Sequence, residues 1–283
     1  MRPFTTLIDV DALRALPPAD LALFDCRAEL GNPHWGEAQF AEAHIPGAQF
    51  LHLDRDLSSP ITAYSGRHPL PDPQVFARRV GALGAGDDLQ VVAYDQGNGA
   101  YASRLWWLMR WIGHSRVAVL DGGIAAWRAA GLPFESVRRA PTPRDLSVRV
   151  DARMVVDTAA VDELRQRPAN LLIDARAAER FAGRNETIDP VAGHVPGARN
   201  HPFSSNLGAD GHFLAADALR ERWSTLLASR PPTELVAMCG SGVTACHNLL
   251  ALEHAGLGGG RLYAGSWSEW IRDPRRPVAT GTY

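Results

Sequence analysis

Seven consecutive residues in the C-terminal half, Cys239-Gly240-Ser241-Gly242-Val243-Thr244-Ala245, combine a nucleophile with the backbone freedom to cradle an anion. They follow an apolar run at 235–238 and lead into residues 244–255, whose apolar positions recur at helical spacing. Glycine adopts conformations closed to other residues, so two glycines this close can turn successive N–H groups toward one point. The start of the following helix adds positive potential. A thiol at that focus is expected to ionise readily and to serve as a nucleophile. The plainer reading of the loop alone makes Cys239 a small buried hydrophobe.

A strand must deliver that cysteine and a helix must follow it, and an internal repeat shows how. Leu23-Phe24-Asp25-Cys26-Arg27 resembles Leu172-Ile173-Asp174-Ala175-Arg176, and His44-Ile45-Pro46-Gly47-Ala48 matches His194-Val195-Pro196-Gly197-Ala198. Farther on, Val91-Val92-Ala93-Tyr94-Asp95 aligns with Leu235-Val236-Ala237-Met238-Cys239, and each copy closes on a Trp-bearing helix, at Trp127 and Trp270. The displacement between copies drifts by only a few residues, as loop insertions would make it. The chain therefore reads as a duplication.

Short apolar runs at 21–24, 90–93, 117–120, 171–173, 234–237 and 261–263 are expected to be buried parallel strands, and 101–112 and 244–255 helices. The alternation argues for an α/β fold: two tandem domains, each a mostly parallel sheet with helices on both faces. Residues 136–150, rich in arginine and proline and poor in apolar side chains, read as a surface linker. The expected division is 1–135, linker 136–150, and 151–283.

Composition narrows the function classes. With 283 residues, 46% hydrophobic and 21% charged, the chain has ordinary globular make-up and ample core material. The net charge of -2 and the scattered basic residues give no footprint for nucleic acid. No apolar run is long enough for a membrane span, and the first residues lack a signal-peptide core. Three cysteines are too few for a disulfide framework, so a reducing cytoplasm is the expected location.

The loop Cys-Gly-Ser-Gly-Val-Thr-Ala resembles the active-site loop of 3-mercaptopyruvate sulfurtransferases, within the tandem-domain rhodanese family. Asp174-Ala175-Arg176, Gly193-His194-Val195-Pro196-Gly197-Ala198, Asp121-Gly122-Gly123 with Trp127, and Ala102-Ser103-Arg104-Leu105-Trp106-Trp107 carry the resemblance across nearly the whole chain. It implies ping-pong transfer of sulfane sulfur through a Cys239 persulfide, from a small-molecule donor to a thiol, cyanide or thioredoxin-like acceptor. It implies no metal or organic cofactor, and a catalytically silent first domain, where Asp95 stands in the cysteine's place.

The resemblance also assigns roles. Arg180 matches the arginine that binds the donor's anionic end; Gly240, Gly242, Val243 and Thr244 line the loop. Ser241 matches a serine that helps move the substrate proton, together with the histidine of the first His-Ile-Pro-Gly element, here His44. Glu37 and Glu42 are candidates for an acidic partner. The duplicate His194 equally suits a turn-stabilising role for His44. The family's second arginine falls at Asp189, and Arg184 is the candidate to replace it.

Alternatives remain at this level. A Cys-x5-Arg phosphatase cradle would need arginine where Ala245 stands, and a non-catalytic binding module would not need the intact loop. Thiosulfate-preferring relatives place cations in the loop, whereas Gly240 and Ser241 are neutral, which favours the monoanion mercaptopyruvate over the dianion thiosulfate.

Overall fold

Each half of the chain starts its first helix on an aspartate. Asp9 accepts from the Ala12 N–H and Asp157 from the Ala160 N–H, which satisfies donors that a helix start leaves open. The computed structural model describes residues 2–282, and these divide into two compact units.

The first unit runs β1 (Leu7–Ile8), α1 (Val10–Ala15), β2 (Leu21–Asp25), α2 (Trp35–Glu42), β3 (Gln49–Phe50), α3 (Pro73–Ala82), β4 (Gln90–Tyr94), α4 (Ala102–Trp111), β5 (Val117–Leu120) and α5 (Gly123–Ala129). The second runs β6 (Val155–Val156), α6 (Thr158–Leu164), β7 (Leu172–Asp174), α7 (Ala178–Phe181), β8 (Arg199–Asn200), α8 (Ala216–Leu227), β9 (Val236–Met238), α9 (Thr244–His254), β10 (Arg261–Tyr263) and α10 (Ser266–Trp270). The sheets have the orders β1-β5-β4-β2-β3 and β6-β10-β9-β7-β8, and every pairing is parallel. The duplication is thus a duplication of topology.

Strand alternation accounts for helices on both faces. In β4 and β5, Val92, Tyr94, Ala118 and Leu120 join Leu13, Phe40, Ile124 and Trp127 in one cluster with α1, α2 and α5. The intervening Val91, Ala93, Val117 and Val119 are equally buried, and α4 packs on these two strands. Buried on both sides, the strands read as continuous apolar runs, which is why the sequence announces them. In the second unit, Val236, Met238 and Tyr263 pack with Val161, Phe181, Trp267 and Trp270.

Unexpectedly, each unit takes in a short segment from elsewhere in the chain. Pro60–Pro69 groups with the second unit, and Ala209–Phe213 with the first. Residues 136–150 contain no helix or strand and lie along the first unit. Arg144 and Arg149 donate their N–H groups to the Gly81 and Ile112 carbonyls, and the Ser147 N–H reaches Asp87.

Candidate active site

In the second sheet β9 lies between β10 and β7, so its C-terminal end opens where ligands gather in such folds. Cys239 is the next residue. Its N–H donates to Ser266 Oγ at 3.0 Å, and Ser266 Oγ donates to the Tyr263 carbonyl at 2.9 Å. The Trp267 and Ser268 N–H groups donate to the Cys239 and Gly240 carbonyls. The start of α10 therefore fixes the loop from beneath.

The loop then turns back on the sulfur. The Gly242 N–H points at Cys239 Sγ, 3.1 Å away. Gly242 has φ of 80°, and a Cβ there would lie 2.3 Å from the Ala264 carbonyl oxygen. Only glycine fits. Val243 precedes α9, and Thr244 is its first residue, which brings the helix start to the loop.

Two arginines lie over Gly240. A Cβ at that residue would come 2.9 Å from Arg67 Nη2 and 3.5 Å from Arg180 Nη2, so the missing side chain makes room for both guanidiniums. Burial pulls the Arg67 pKa down from its ordinary value; the nearby Cys239 sulfur opposes that shift and Arg180 adds to it. Arg180 is held by Glu186 at 2.9–3.1 Å and by Asp189 at 3.1 Å, and Arg67 bonds to the other oxygen of Asp189. Behind them Arg176 pairs with Asp174 at 2.7 Å and with Glu186 at 3.4 Å. The chain contains no lysine, so any fixed side-chain cation here has to be arginine.

Ser241 is bonded to a histidine: its Oγ lies 2.7 Å from His68 Nδ1, and both residues are buried. His68 arrives on the Pro60–Pro69 segment, which is fastened to this unit on either side. The Arg67 N–H donates to Ser268 Oγ at 3.0 Å, and Arg272 donates to the Ser65 carbonyl at 3.1 Å.

Two expected site residues take other places. His44 Nδ1 lies 2.7 Å from the Phe40 carbonyl, its ring stacks on Phe40, and its backbone bridges to Glu135. His194 repeats this against Phe181 and Ala279. A histidine with the same contacts in both copies holds the fold, and the histidine bonded to Ser241 is His68. Glu37 and Glu42 are also occupied elsewhere, with Arg55 and with Gln39. Arg184 is 62% exposed, 3.6 Å from Glu179, while the guanidinium beside Arg180 belongs to Arg67.

The sequence held one signal for His68 that went unread. His-Ile-Pro-Gly elements recur and so serve the fold, whereas Gly66-Arg67-His68-Pro69 stands outside the repeated elements. Which loop it would meet, 173 positions away, is a tertiary fact.

The corresponding loop of the first unit is closed by its own side chain. Asp95 is fully buried, and its carboxylate accepts from the N–H groups of Gly97, Gly99, Tyr101 and Ala102 at 2.9–3.2 Å. The other thiols are plainer. Burial, reinforced by Asp25 and Asp95, pushes the Cys26 thiol well above its usual range, and Cys246 donates to the Gly242 carbonyl.

The chain resembles known proteins over nearly its whole length. The family model for the rhodanese-like domain matches twice, over residues 9–130 and 157–273. A probable 3-mercaptopyruvate sulfurtransferase of Pseudomonas aeruginosa is 53% identical, with 94% of each chain covered. A putative thiosulfate sulfurtransferase of Mycobacterium tuberculosis is 38% identical over 93% of this chain and 92% of its own. Among solved structures, the 3-mercaptopyruvate sulfurtransferase from Leishmania major superposes with a TM-score of 0.81 at 33% identity, covering 95% of this chain and 76% of that one. Two copies of one topology, each matched by the same domain model, make this chain a member of the rhodanese-like family.

Proposed function

We propose that the chain is a sulfurtransferase that takes sulfur from 3-mercaptopyruvate, carries it as a persulfide on Cys239, and passes it to a thiol, cyanide or thioredoxin-like acceptor. The observation that carries the donor assignment is the 2.7 Å contact between Ser241 and His68 in the loop of the nucleophile. Removing sulfur from a mercaptan breaks a C–S bond and needs a proton on the departing carbon; thiosulfate, which releases sulfite, does not.

The steps balance. Cys239 thiolate attacks the donor sulfur, an S–S bond forms, and the C–S bond breaks with its electron pair left on the pyruvate enolate. The donor's thiol proton passes through Ser241 and His68 to that enolate, which leaves as pyruvate. The Gly242 N–H, already on Sγ, stabilises the thiolate that begins and ends the cycle. Arg180 binds the donor's carboxylate. An acceptor thiolate or cyanide then attacks the outer sulfur and regenerates the Cys239 thiolate. The first unit, with Asp95 in its loop, carries no sulfur. We place the activity in a reducing cytoplasm, where free thiols persist.

A steady-state comparison of kcat/KM for 3-mercaptopyruvate and thiosulfate, at matched acceptor and pH, tests the donor. Mercaptopyruvate is expected to be the better substrate, and a preference for thiosulfate overturns the assignment. The thiosulfate reading has one observation in its favour: Arg67 brings to Gly240 the positive charge that the loop sequence lacks.

A further inference from the structure

The Arg67 and Arg180 guanidiniums face one space above Gly240, beside the nucleophile, and one carboxylate already bridges them. Asp189 gives one oxygen to each arginine, and its side chain is only 3% exposed. A two-oxygen anion spanning two guanidiniums is the arrangement a donor's carboxylate would adopt. Glu186 is bound differently: it grips Arg180, reaches Arg176 and accepts the N–H groups of Ile188 and Asp189, so it belongs to the scaffold. Formal charge among these side chains is balanced, with Arg67, Arg176 and Arg180 facing Asp174, Glu186 and Asp189, before the Cys239 thiolate adds one more negative charge. An arriving anion gains little from such a cluster unless one carboxylate leaves.

We propose that Arg67 supplies the second cation of the donor site and that Asp189 is its resident counter-ion, displaced when the donor's carboxylate binds. The inference rests on the sulfurtransferase reading and adds to it the residue that sets affinity for anions. Asp189 is suited to leave. It lies in a stretch without helix or strand between Gly183 and Gly193, which have φ of 75° and 118°. Its carboxylate's hydrogen bonds run to the two arginines. Exchanging one carboxylate for another conserves the ion pairs, so net binding energy falls to the difference between donor and Asp189. The site therefore resists simple oxyanions, and a donor gains its advantage through the sulfur end.

The test measures KM for both donors and the inhibition constant for sulfate, at fixed low ionic strength, in wild type, Asp189→Asn and Arg67→Ala. Asp189→Asn should lower both KM values about fivefold or more and tighten sulfate inhibition about tenfold. Arg67→Ala should raise both KM values about tenfold or more. A residue that merely props up the arginines gives the opposite sign for Asp189→Asn, and unchanged or raised KM with unchanged sulfate inhibition overturns the exchange. Arg67→Ala within threefold of wild type for both donors removes Arg67 from the site, a result that stands even if Asp189→Asn does not fold. If wild type transfers sulfur from neither donor, the sulfurtransferase reading fails. Calorimetric titration of sulfate into the same proteins then still decides the exchange, by whether Asp189→Asn binds more tightly.

Discussion

Removing the Asp95 carboxylate should cost stability rather than catalysis, and the structure sets the amount. Four backbone N–H groups converge on this buried side chain, and those of Gly99 and Ala102 are themselves buried. In Asp95→Ala the partly exposed Gly97 and Tyr101 donors can turn to water, whereas the buried pair lose their acceptor. At about 1–3 kcal/mol for each stranded donor, the loss is about 2–6 kcal/mol. At about 2–4 °C per kcal/mol, the first unit should melt roughly 10 °C lower. The vacated nest should then take an external anion, and sulfate at a hundred times its dissociation constant should restore about 2.7 kcal/mol. Urea unfolding followed by tryptophan fluorescence reads both effects, and Asp95→Asn, which keeps one acceptor oxygen, should fall between. Per folded molecule, kcat/KM should stay within about tenfold, or 1.4 kcal/mol. A stability loss below about 1 kcal/mol, or no response to sulfate, refutes the idea that the carboxylate fills an anion cradle.

Ser241→Ala and His68→Ala should each lower kcat with mercaptopyruvate by about a hundredfold or more while affecting thiosulfate far less, since only the first donor needs a proton relay. Equal losses with both donors, or the same loss from His44→Ala in a protein that melts like wild type, contradict the relay. Arg180→Ala should cost about 2–4 kcal/mol in kcat/KM, and a change within threefold for both donors removes it as the anchor. Burial lowers the pKa of His194 and of His201, so the unfolded chain binds protons more readily than the native one just below pH 6.5. Their contribution to stability is complete above that pH and is lost as the pH falls toward the native pKa values. Urea unfolding of the second unit should shift to lower denaturant between pH 7.5 and 5.5, by at most about 1.4 kcal/mol per pH unit for each histidine. Constant or rising stability over that interval contradicts the prediction.

The fold was legible wherever burial wrote an unbroken apolar run. The runs at 90–93 and 117–120 became β4 and β5 almost unchanged, because both faces of those strands are covered. The two-residue strands β1, β3, β6 and β8 were not legible, since two residues show no periodicity. Within the candidate site, the loop of Cys239, Ser241 and Gly242 was legible because it is contiguous in sequence. Arg180 was reached through resemblance alone. His68 and Arg67 escaped because their partners lie far along the chain, and the pairing of Asp189 with two arginines is likewise a tertiary fact.

The central claim is that sulfur rides on Cys239. Wild-type protein treated with 3-mercaptopyruvate without acceptor, digested and weighed, should show the Cys239 peptide heavier by one sulfur atom. Adding cyanide should return that peptide to its original mass, and Cys239→Ser should neither gain the adduct nor transfer sulfur. An adduct on the Cys26 or Cys246 peptide instead, no adduct at all, or substantial transfer by Cys239→Ser would contradict the account.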